Sequence, residues 1–239
     1  MKYVGGKRRI ARWICNHIKT IANEYREMNL TYVEPFVGGG NTLERVVKTR
    51  KFIRVIANDI HPDLMRMWFA LSREGWIPPA YVDKKEHERL KNSGVSSALR
   101  GYVGFCCSYR GAFFAGHQDK MWGEGKGGQR IERQNIIRTA QVFRDVEFQN
   151  TDYAELCIPP GSIVYCDPPY LGTTGYSSGE FDHKRFWNTM DKWVDGGAIV
   201  LVSEYDGPWL IHDEIETYSS LAHTSLNDRR IERLFIRRP

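Results

Sequence analysis

The sequence has no long apolar run and no cysteine pattern that would hold a metal ion or a disulfide framework. Its five cysteines, an odd number, show neither Cys-x-x-Cys spacing nor a nearby histidine pair. Zinc modules and disulfide-rich domains are therefore not expected, and we predict reduced, mostly buried thiols and no metal requirement. Because no stretch approaches the ~20 apolar residues of a membrane helix, and residues 1–13 lack a signal-peptide core, we expect a cytoplasmic protein that does not bind membranes.

Internal repeats, low-complexity tails and a strong charge of one sign are also missing. The 34 lysine and arginine residues exceed the 29 aspartate and glutamate residues by only five, which favours an anionic partner weakly. A chain of 239 residues is long enough for one substantial core and a small inserted subdomain.

Segments in which apolar residues recur with the period of a helix alternate along the chain with segments that have the pattern of a strand. Glycine and proline lie between these segments. Helices are predicted within residues 1–29, 41–48 and 64–71, and strands over residues 31–33, 52–57, 162–166, 198–203 and 231–236. Between Gly75 and Arg144 the apolar periodicity weakens, while glycine, aromatic and basic residues mix. We therefore predict an α/β fold in which residues 1–74 and 145–239 form the main domain and residues 75–144 are an insertion.

Three consecutive glycines, Gly38 to Gly40, follow the first predicted strand and precede a helix. Glycine permits positive φ and a close approach of ligand to backbone, and a helix N-terminus there would face an anionic group. The run is not the G-x-G-x-x-G fingerprint, but Asp59 follows Gly40 by 19 residues, at the end of the next strand, where an acid can hold ribose hydroxyls. The pairing suits a nucleoside-containing ligand, although a tight turn and a solvated aspartate explain this segment alone equally well.

The predicted strand over residues 162–166 is followed by Asp167-Pro168-Pro169-Tyr170, at the end where open α/β sheets bind ligands. The prolines donate no hydrogen bond and favour an extended Asp167, which leaves nearby carbonyls as acceptors. Asp167 and the Pro168 carbonyl can accept the two hydrogens of an exocyclic amine, and this favours a pyramidal, reactive nitrogen. Tyr170 can stack on a base that has been flipped out of a duplex. A purely structural Pro-Pro turn is the alternative.

Five motifs occur in the order found in the Dam-like, alpha-class DNA N6-adenine methyltransferases, which the chain resembles over nearly its whole length. The motifs are Tyr3-Val4-Gly5-Gly6-Lys7, Glu34-Pro35-Phe36-Val37-Gly38-Gly39-Gly40, Asn58-Asp59-Ile60, Asp152-Tyr153 and Asp167-Pro168-Pro169-Tyr170. The resemblance implies a Rossmann-like methyltransferase sheet, S-adenosylmethionine as the cofactor and double-stranded DNA as the partner. It further implies methyl transfer to N6 of a flipped-out adenine, in a bacterial cell or a phage-infected host and in the setting of restriction and modification.

The resemblance also assigns residues to the site. It places beside the cofactor Tyr3, Lys7, Glu34, Phe36, Gly38, Gly39, Gly40, Asp59, Asp152, Tyr153 and Asp167. Phe36 and the glycines would lie near its methionine end, and Tyr153 near its adenine ring. The catalytic residues would be Asp167, Pro168, Pro169 and Tyr170. Another segment resembles the one that flanks the family's active site, and it contains Tyr176, Phe181, His183, Phe186 and Trp187. Taken singly, these residues are equally typical of a hydrophobic core.

The insertion, residues 75–144, is predicted to be a small, largely helical and hairpin subdomain that recognises the DNA target. From Asp83 to Arg144, twelve lysine and arginine residues stand against six acidic ones, which suits phosphate contacts, although a solvated surface of mixed charge has the same composition. Residues 109–123 occupy the place of the family's target-recognition hairpin but depart from the Asn-rich pattern of its GATC-specific members. The predicted DNA contacts are Arg110, Lys120 and Arg130.

Two classes of alternative are open. Similar acceptors would suit another amine, such as N4 of cytosine in DNA, a base in RNA or a glutamine in protein; by the family likeness, an aspartate at position 167 favours adenine. The other class is a catalytically silent DNA-binding module, against which the intact Asp59, Asp167 and Tyr170 argue.

Overall fold

The computed structural model describes residues 1–118, 128–170, 181–218 and 229–239. Its helices are α1 (Ala11–Glu24), α2 (Asn41–Val47), α3 (Pro62–Arg73), α4 (Lys84–Lys91), α5 (Ala98–Cys106), α6 (Gly128–Val142) and α7 (His183–Asp195). Its strands are β1 (Thr31–Glu34), β2 (Arg54–Asn58), β3 (Glu147–Gln149), β4 (Ile163–Cys166), β5 (Ile199–Glu204), β6 (Ile211–Tyr218) and β7 (Arg229–Arg237).

The strands form one sheet in the order β3-β2-β1-β4-β5-β7-β6. The first five in this order are parallel, whereas β7 runs antiparallel between β5 and β6. Val33 in β1 pairs with Val164 in β4, and the chain leaves these two central strands in opposite directions. This confirms the predicted Rossmann-like α/β sheet, and it creates a topological switch point, where such sheets bind ligands, at the carboxyl ends of β1 and β4.

Both faces of the sheet are covered, as the continuous apolar runs of buried parallel strands require. Successive residues of β1 point to opposite faces: Tyr32 packs in a core with α1 to α3, and Val33 packs in a second core with Phe186 and Met190 of α7. The helices on the two faces leave only the strand ends open to a ligand.

The predicted strands and helices of the main domain are all present, with displaced ends; the first helix, for instance, begins only at Ala11. β3, β6 and α7 were not predicted. The thiols are free, and all but Cys157 are buried, which confirms the prediction. Within the described residues, no helix is long and apolar enough to cross a membrane, and no group of three or more His, Cys, Asp or Glu side chains could hold a metal ion.

The described part of the insertion is helical, as predicted, and it shares a core with the main domain. α5 packs so closely on α3 that a Cβ on Gly101 would lie 2.1 Å from the carbonyl oxygen of Asp63. At the other end of the insertion, the Phe143 ring packs behind Gly40. The division of the chain into catalytic and recognition regions concerns function and stays a prediction.

Candidate active site

A cleft of about 560 Å³, the size of a small-molecule site, opens at the switch point of the sheet. Most of the predicted site residues line it, namely Tyr3, Lys7, Glu34, Phe36, Gly38, Gly39, Asp59, Asp152, Tyr153, Asp167 and Pro169. Gly40, Pro168 and Tyr170 are described residues of the same segments that do not line the cleft. The strand ends thus bring together side chains that are far apart in the sequence.

The glycine turn after β1 is shaped by Tyr3 on one side and by the core on the other. Gly38 and Gly40 have φ angles of +46° and +69°, the left-handed conformation predicted for this turn. A Cβ on Gly38 would lie 2.8 Å from the Tyr3 ring, and a Cβ on Gly40 would lie 2.9 Å from the Phe143 ring. Gly38 therefore lets Tyr3 close over the turn, whereas Gly40 faces the core instead of the cleft.

Asp59 fastens the glycine turn to the start of α3. One of its carboxylate oxygens accepts the Gly38 N–H at 3.0 Å, and the other accepts the His61 N–H at 3.0 Å. Burial raises the pKa of Asp59 to about 6, against the opposing effect of these two donors. A carboxylate oxygen has room for two donors, so each oxygen can accept one more hydrogen bond, as a pair of ribose hydroxyls requires.

Asn58 ties three strand ends together, a role that the sequence did not reveal. Its side-chain nitrogen donates to the carbonyls of Pro35 and Thr151, both at 3.1 Å, and its side-chain oxygen accepts the Thr151 N–H at 3.0 Å. Pro35 follows β1 and Thr151 follows β3, while Asn58 itself ends β2. One buried amide therefore fixes the floor of the cleft, and its polarity at the end of an apolar strand was the signal for it.

A lysine and two carboxylates, Lys7, Asp167 and Glu232, form what we call the Lys7 cluster. Lys7 Nζ lies 2.8 Å from Asp167 Oδ1 and 3.1 Å from Glu232 Oε1. Burial by itself lowers the pKa of Lys7, but the two carboxylates more than reverse this and raise it, so the side chain is a cation. Burial raises the pKa of Asp167 to about 6, and the Lys7 ammonium limits that rise.

Tyr170 ends the Asp-Pro-Pro-Tyr motif with its ring turned inward. Its hydroxyl donates to Glu232, Lys7 Nζ lies 4.0 Å from the ring centre, and the Tyr205 ring stands nearly perpendicular at 4.7 Å. Only 8% of Tyr170 is exposed. Stacking on a flipped base therefore requires the ring to leave this position, and that role stays a prediction.

Aromatic rings form the other end of the cleft. The Phe36 ring centre lies 5.2 Å from that of Tyr153 and 6.0 Å from that of Phe181. The Tyr153 hydroxyl is buried and has no hydrogen-bond partner among the described residues. Arg185 lies 5.3 Å from the centre of the Tyr153 ring and donates to both carboxylate oxygens of Asp152, at 2.8 and 3.0 Å. An apolar slot with an unsatisfied polar atom suits a nucleobase.

The segment after the Asp-Pro-Pro-Tyr motif divides between the cleft and the core. Phe181 lines the cleft, and the His183 ring centre lies 5.1 Å from that of Phe181. Phe186 is fully buried and Trp187 packs against it, as core aromatics do. Tyr176 lies outside the described residues.

Glu34 lines the cleft and is almost fully buried. It is 2% exposed, and its side chain accepts a hydrogen bond of 2.8 Å from the Tyr32 hydroxyl. Burial raises the pKa of Glu34 well above its usual range. Its predicted contact with the cofactor stays a prediction.

The remaining charges of the cleft favour a cation. Its two arginines are each paired with an aspartate, Arg100 with Asp63 and Arg185 with Asp152. Lys7 is paired with Asp167, so Asp59 and Asp182 leave an excess of acid among the lining residues. A cleft lined by charge of one sign attracts ligands of the other.

Two of the predicted DNA contacts, Arg110 and Arg130, are described residues, and they do not line the cleft. Arg110 is exposed beside the N-terminal segment, since a Cβ on the next residue, Gly111, would lie 2.5 Å from the Lys2 carbonyl oxygen. The Arg110 backbone has φ of +57°, a conformation that costs a residue with a side chain about 1–3 kcal/mol. Arg130 is exposed near the start of α6, and Lys120 lies outside the described residues.

Glu232 and Arg100 are site residues that sequence reasoning missed. Glu232 did carry a signal, because in the alternating pattern of β7 it is in phase with Leu234, on the buried face, where a carboxylate needs a partner. Arg100 carried none, because α5 was not predicted and its partner Asp63 opens a different helix.

A family model and a relative each match most of the chain. The model of the D12 class N6 adenine-specific DNA methyltransferase family matches residues 3–95 and 110–226. The chain is 22% identical over 247 residues to the type II methyltransferase M.MjaIII of Methanocaldococcus jannaschii, across 86% of this chain and 84% of that protein.

Solved structures show weaker likenesses. The Haemophilus influenzae protein HI0767 is 10% identical with a TM-score of 0.38, over 95% of this chain and 89% of that one. SMU.472, solved in complex with S-adenosylhomocysteine, is 14% identical with a TM-score of 0.35, over 98% of this chain and 55% of that one.

Proposed function

Because the chain belongs to the D12 class N6 adenine-specific DNA methyltransferase family, we propose that its cleft binds S-adenosylmethionine and that Asp167 and Pro168 present the adenine amine for methylation. The family assigns the reaction to N6 of adenine in DNA. Cytosine N4, bases in RNA, protein glutamine and a catalytically silent module are thereby set aside. The observation that carries the residue assignment is Asp167, partly buried and ion-paired on the wall of the cleft at the end of β4.

Three features of the cleft support S-adenosylmethionine as its ligand. The aromatic end, with the unpartnered Tyr153 hydroxyl, suits the adenine ring. The Asp59 carboxylate, with one acceptor position left on each oxygen, suits the two ribose hydroxyls. The excess of acid suits the positive sulfonium group, and when bound the cofactor supplies a methyl group activated by that sulfur.

Asp167 prepares the nucleophile in the proposed mechanism. Adenine N6 is a poor nucleophile because its lone pair is delocalised into the ring. The Asp167 carboxylate and the Pro168 carbonyl accept its two hydrogens and so favour a pyramidal nitrogen with an available lone pair. As positive charge develops on N6, the partly buried carboxylate stabilises it, and this carboxylate, whose pKa is about 6, can then take the proton.

Lys7 keeps Asp167 in the ionised form that this role needs. Burial alone would favour the protonated acid, and the ammonium at 2.8 Å opposes it. Pro168 and Pro169 have no N–H to donate, so the motif adds no donor that would compete with the substrate amine for Asp167.

We assign recognition of double-stranded DNA to the insertion, with Arg110, Lys120 and Arg130 as contacts. Adenine N6 lies inside a duplex, so the base must be flipped out to reach the cleft. Arg110 is exposed, and its guanidinium suits a guanine edge or a phosphate. In a bacterial cell or a phage-infected host, such a substrate lies in the cytoplasm.

Asp167→Ala tests the proposal. We expect a folded protein that transfers methyl groups to duplex DNA about 100- to 1000-fold more slowly, because the acceptor and its charge are both lost. The assay follows labelled methyl transfer from S-adenosylmethionine into DNA, with circular dichroism to verify folding. Asp145→Ala, which removes an exposed carboxyl just after α6, is the control and should change nothing. Near-normal turnover by folded Asp167→Ala would show that another group activates the amine.

A further inference from the structure

Glu232 is a buried acid next to the active site that the family match does not cover. It lies in β7, on the face that also buries Leu234, and only 4% of the residue is exposed. The match to the family model ends at residue 226, before this strand begins. A carboxylate in such a position is unfavourable unless its charge is paired and hydrogen-bonded, so its partners indicate what it does.

Those partners are two groups of the proposed catalytic machinery. Glu232 Oε1 lies 3.1 Å from Lys7 Nζ and also accepts the Tyr170 hydroxyl. Lys7 Nζ in turn lies 2.8 Å from Asp167 Oδ1. Glu232 itself does not line the cleft, although it is a described residue, so any effect on the reaction passes through its partners.

Lys7 needs a second anchor because of where it lies in the chain. It precedes α1 in a segment without regular secondary structure, and its long side chain has several rotatable bonds. A single contact with Asp167 would fix a distance but no direction. Two carboxylates, one after β4 and one in β7, hold the ammonium between two strands of the same sheet.

We propose that Glu232 is a positioning residue for methyl transfer, which holds the Lys7 ammonium against Asp167 and thereby fixes the carboxylate that accepts the adenine amine. The proposal rests on the catalytic role of Asp167 proposed above. Glu232 does not line the cleft, but it contacts Lys7, which does. Its removal therefore changes the charge around Asp167 and the support of Lys7, while no residue of the cleft wall is replaced.

Other ionisable groups face the Lys7 cluster and contribute to its titration. They are Tyr165 in β4, Tyr170 after it and Glu34 at the end of β1. Of the carboxylates near Asp167, Glu232 adds a negative charge that raises the pKa of Asp167. Glu232→Gln removes that charge and keeps the size of the side chain and an acceptor for Tyr170.

We expect Glu232→Gln to lower kcat about 10- to 100-fold, the effect of a slightly misplaced catalytic group. The acid limb of its kcat/KM profile should move to lower pH, a change that a merely structural role would not produce. Glu214→Gln is the matched control: Glu214 lies on the neighbouring strand β6, pairs with Arg233 and is exposed. Unchanged kcat in Glu232→Gln, or a lower kcat with an unmoved acid limb, would overturn the proposal.

A double-mutant cycle tests whether Glu232 acts through Lys7. In a Lys7→Met background, Glu232→Gln should have little further effect on kcat, whereas full additivity would overturn the proposal. If Glu232→Gln does not fold, Glu232→Asp replaces it, because aspartate keeps the charge with a shorter reach. Glu232→Asp should lower kcat and leave the acid limb of the pH profile in place. A wild-type kcat in this variant would contradict the proposal. An active Asp167→Ala would defeat the proposed function itself, whereas an inactive Asp167→Ala with a normal Glu232→Gln would defeat only this inference.

Discussion

Lowering the pH from 8 to 5 should reduce kcat/KM for S-adenosylmethionine about 100-fold, because two carboxyl groups of the cleft, both with a raised pKa, must be ionised. Burial raises the pKa of both Asp59 and Asp167 to about 6. At pH 5 each group is then only about one-tenth ionised, and the product of the two fractions is about one-hundredth. Only the carboxylate accepts hydrogen bonds on both oxygens, so activity is present above pH 6 and lost as the pH falls through it.

Initial rates of methyl transfer between pH 5 and 8.5 measure this loss. kcat/KM reports the free enzyme, so its logarithm should fall with a limiting slope of two at low pH. Asp59→Asn removes one ionisation and should reduce that slope to one. Circular dichroism at each pH verifies that the protein stays folded. A rate that stays level down to pH 5, or that falls only near pH 4 like an exposed carboxyl, would refute the assignment of both groups.

Three further predictions follow from single contacts. Asp59→Ala should weaken S-adenosylmethionine binding about 10- to 100-fold in titration calorimetry while DNA affinity stays unchanged, because charge-assisted hydrogen bonds to ribose are lost; unchanged cofactor affinity would make Asp59 a turn residue only. Arg110→Ala should weaken DNA binding without loss of cofactor affinity. If Arg110 contacts guanine, discrimination at one base pair should relax by about 1–3 kcal/mol. If it contacts phosphate, the affinity for DNA of every sequence should fall equally, and the salt dependence of binding should become weaker. Arg50→Ala is its control, since Arg50 is exposed with φ of +55° but precedes β2, at the opposite end of the strands; equal DNA binding by the two variants would contradict the prediction. Gly40→Ala should lower the free energy of unfolding by about 1–3 kcal/mol in denaturant titration, because φ is +69° and the new Cβ would meet Phe143; an unchanged transition would contradict this.

The elements that the sequence predicted have a clear apolar period, which β3 and β6 lack. The missed helix α7 does have such a period, because its buried Phe186, Met190 and Trp193 recur at helical spacing. β3 has only three residues. β6 is an edge strand in which Asp213 and Glu214 form ion pairs and Glu216 is exposed to solvent. α5 is buried on nearly every side from Gly101 to Cys106, so it has no polar face and no amphipathic pattern. A helix that is buried on all sides, or a strand at the edge of a sheet, is defined by its contacts with other elements. The local sequence pattern does not contain these contacts.

The site was predictable to the extent that it lies at strand ends. Asp59 and Asp167 each follow an apolar strand, and the rule that parallel strands bind ligands at their carboxyl ends brings the two acids to one cleft without further information. The contact of Lys7 with Glu232 is different. It depends on β7 inserting next to β5, an order that only the assembled sheet defines.

The N-terminal segment connects the proposed recognition region with the proposed chemistry. On one side, Tyr3 closes over the glycine turn and Lys7 contacts Asp167. On the other side, the Lys2 N–H donates to the Glu132 side chain in α6 at 3.0 Å, and Gly111 packs against the Lys2 backbone. These contacts are close-packed, so the N-terminal segment cannot move without disturbing its neighbours on both sides. The proposed recognition region and the proposed catalytic acid therefore contact one short stretch of backbone, residues 2–7.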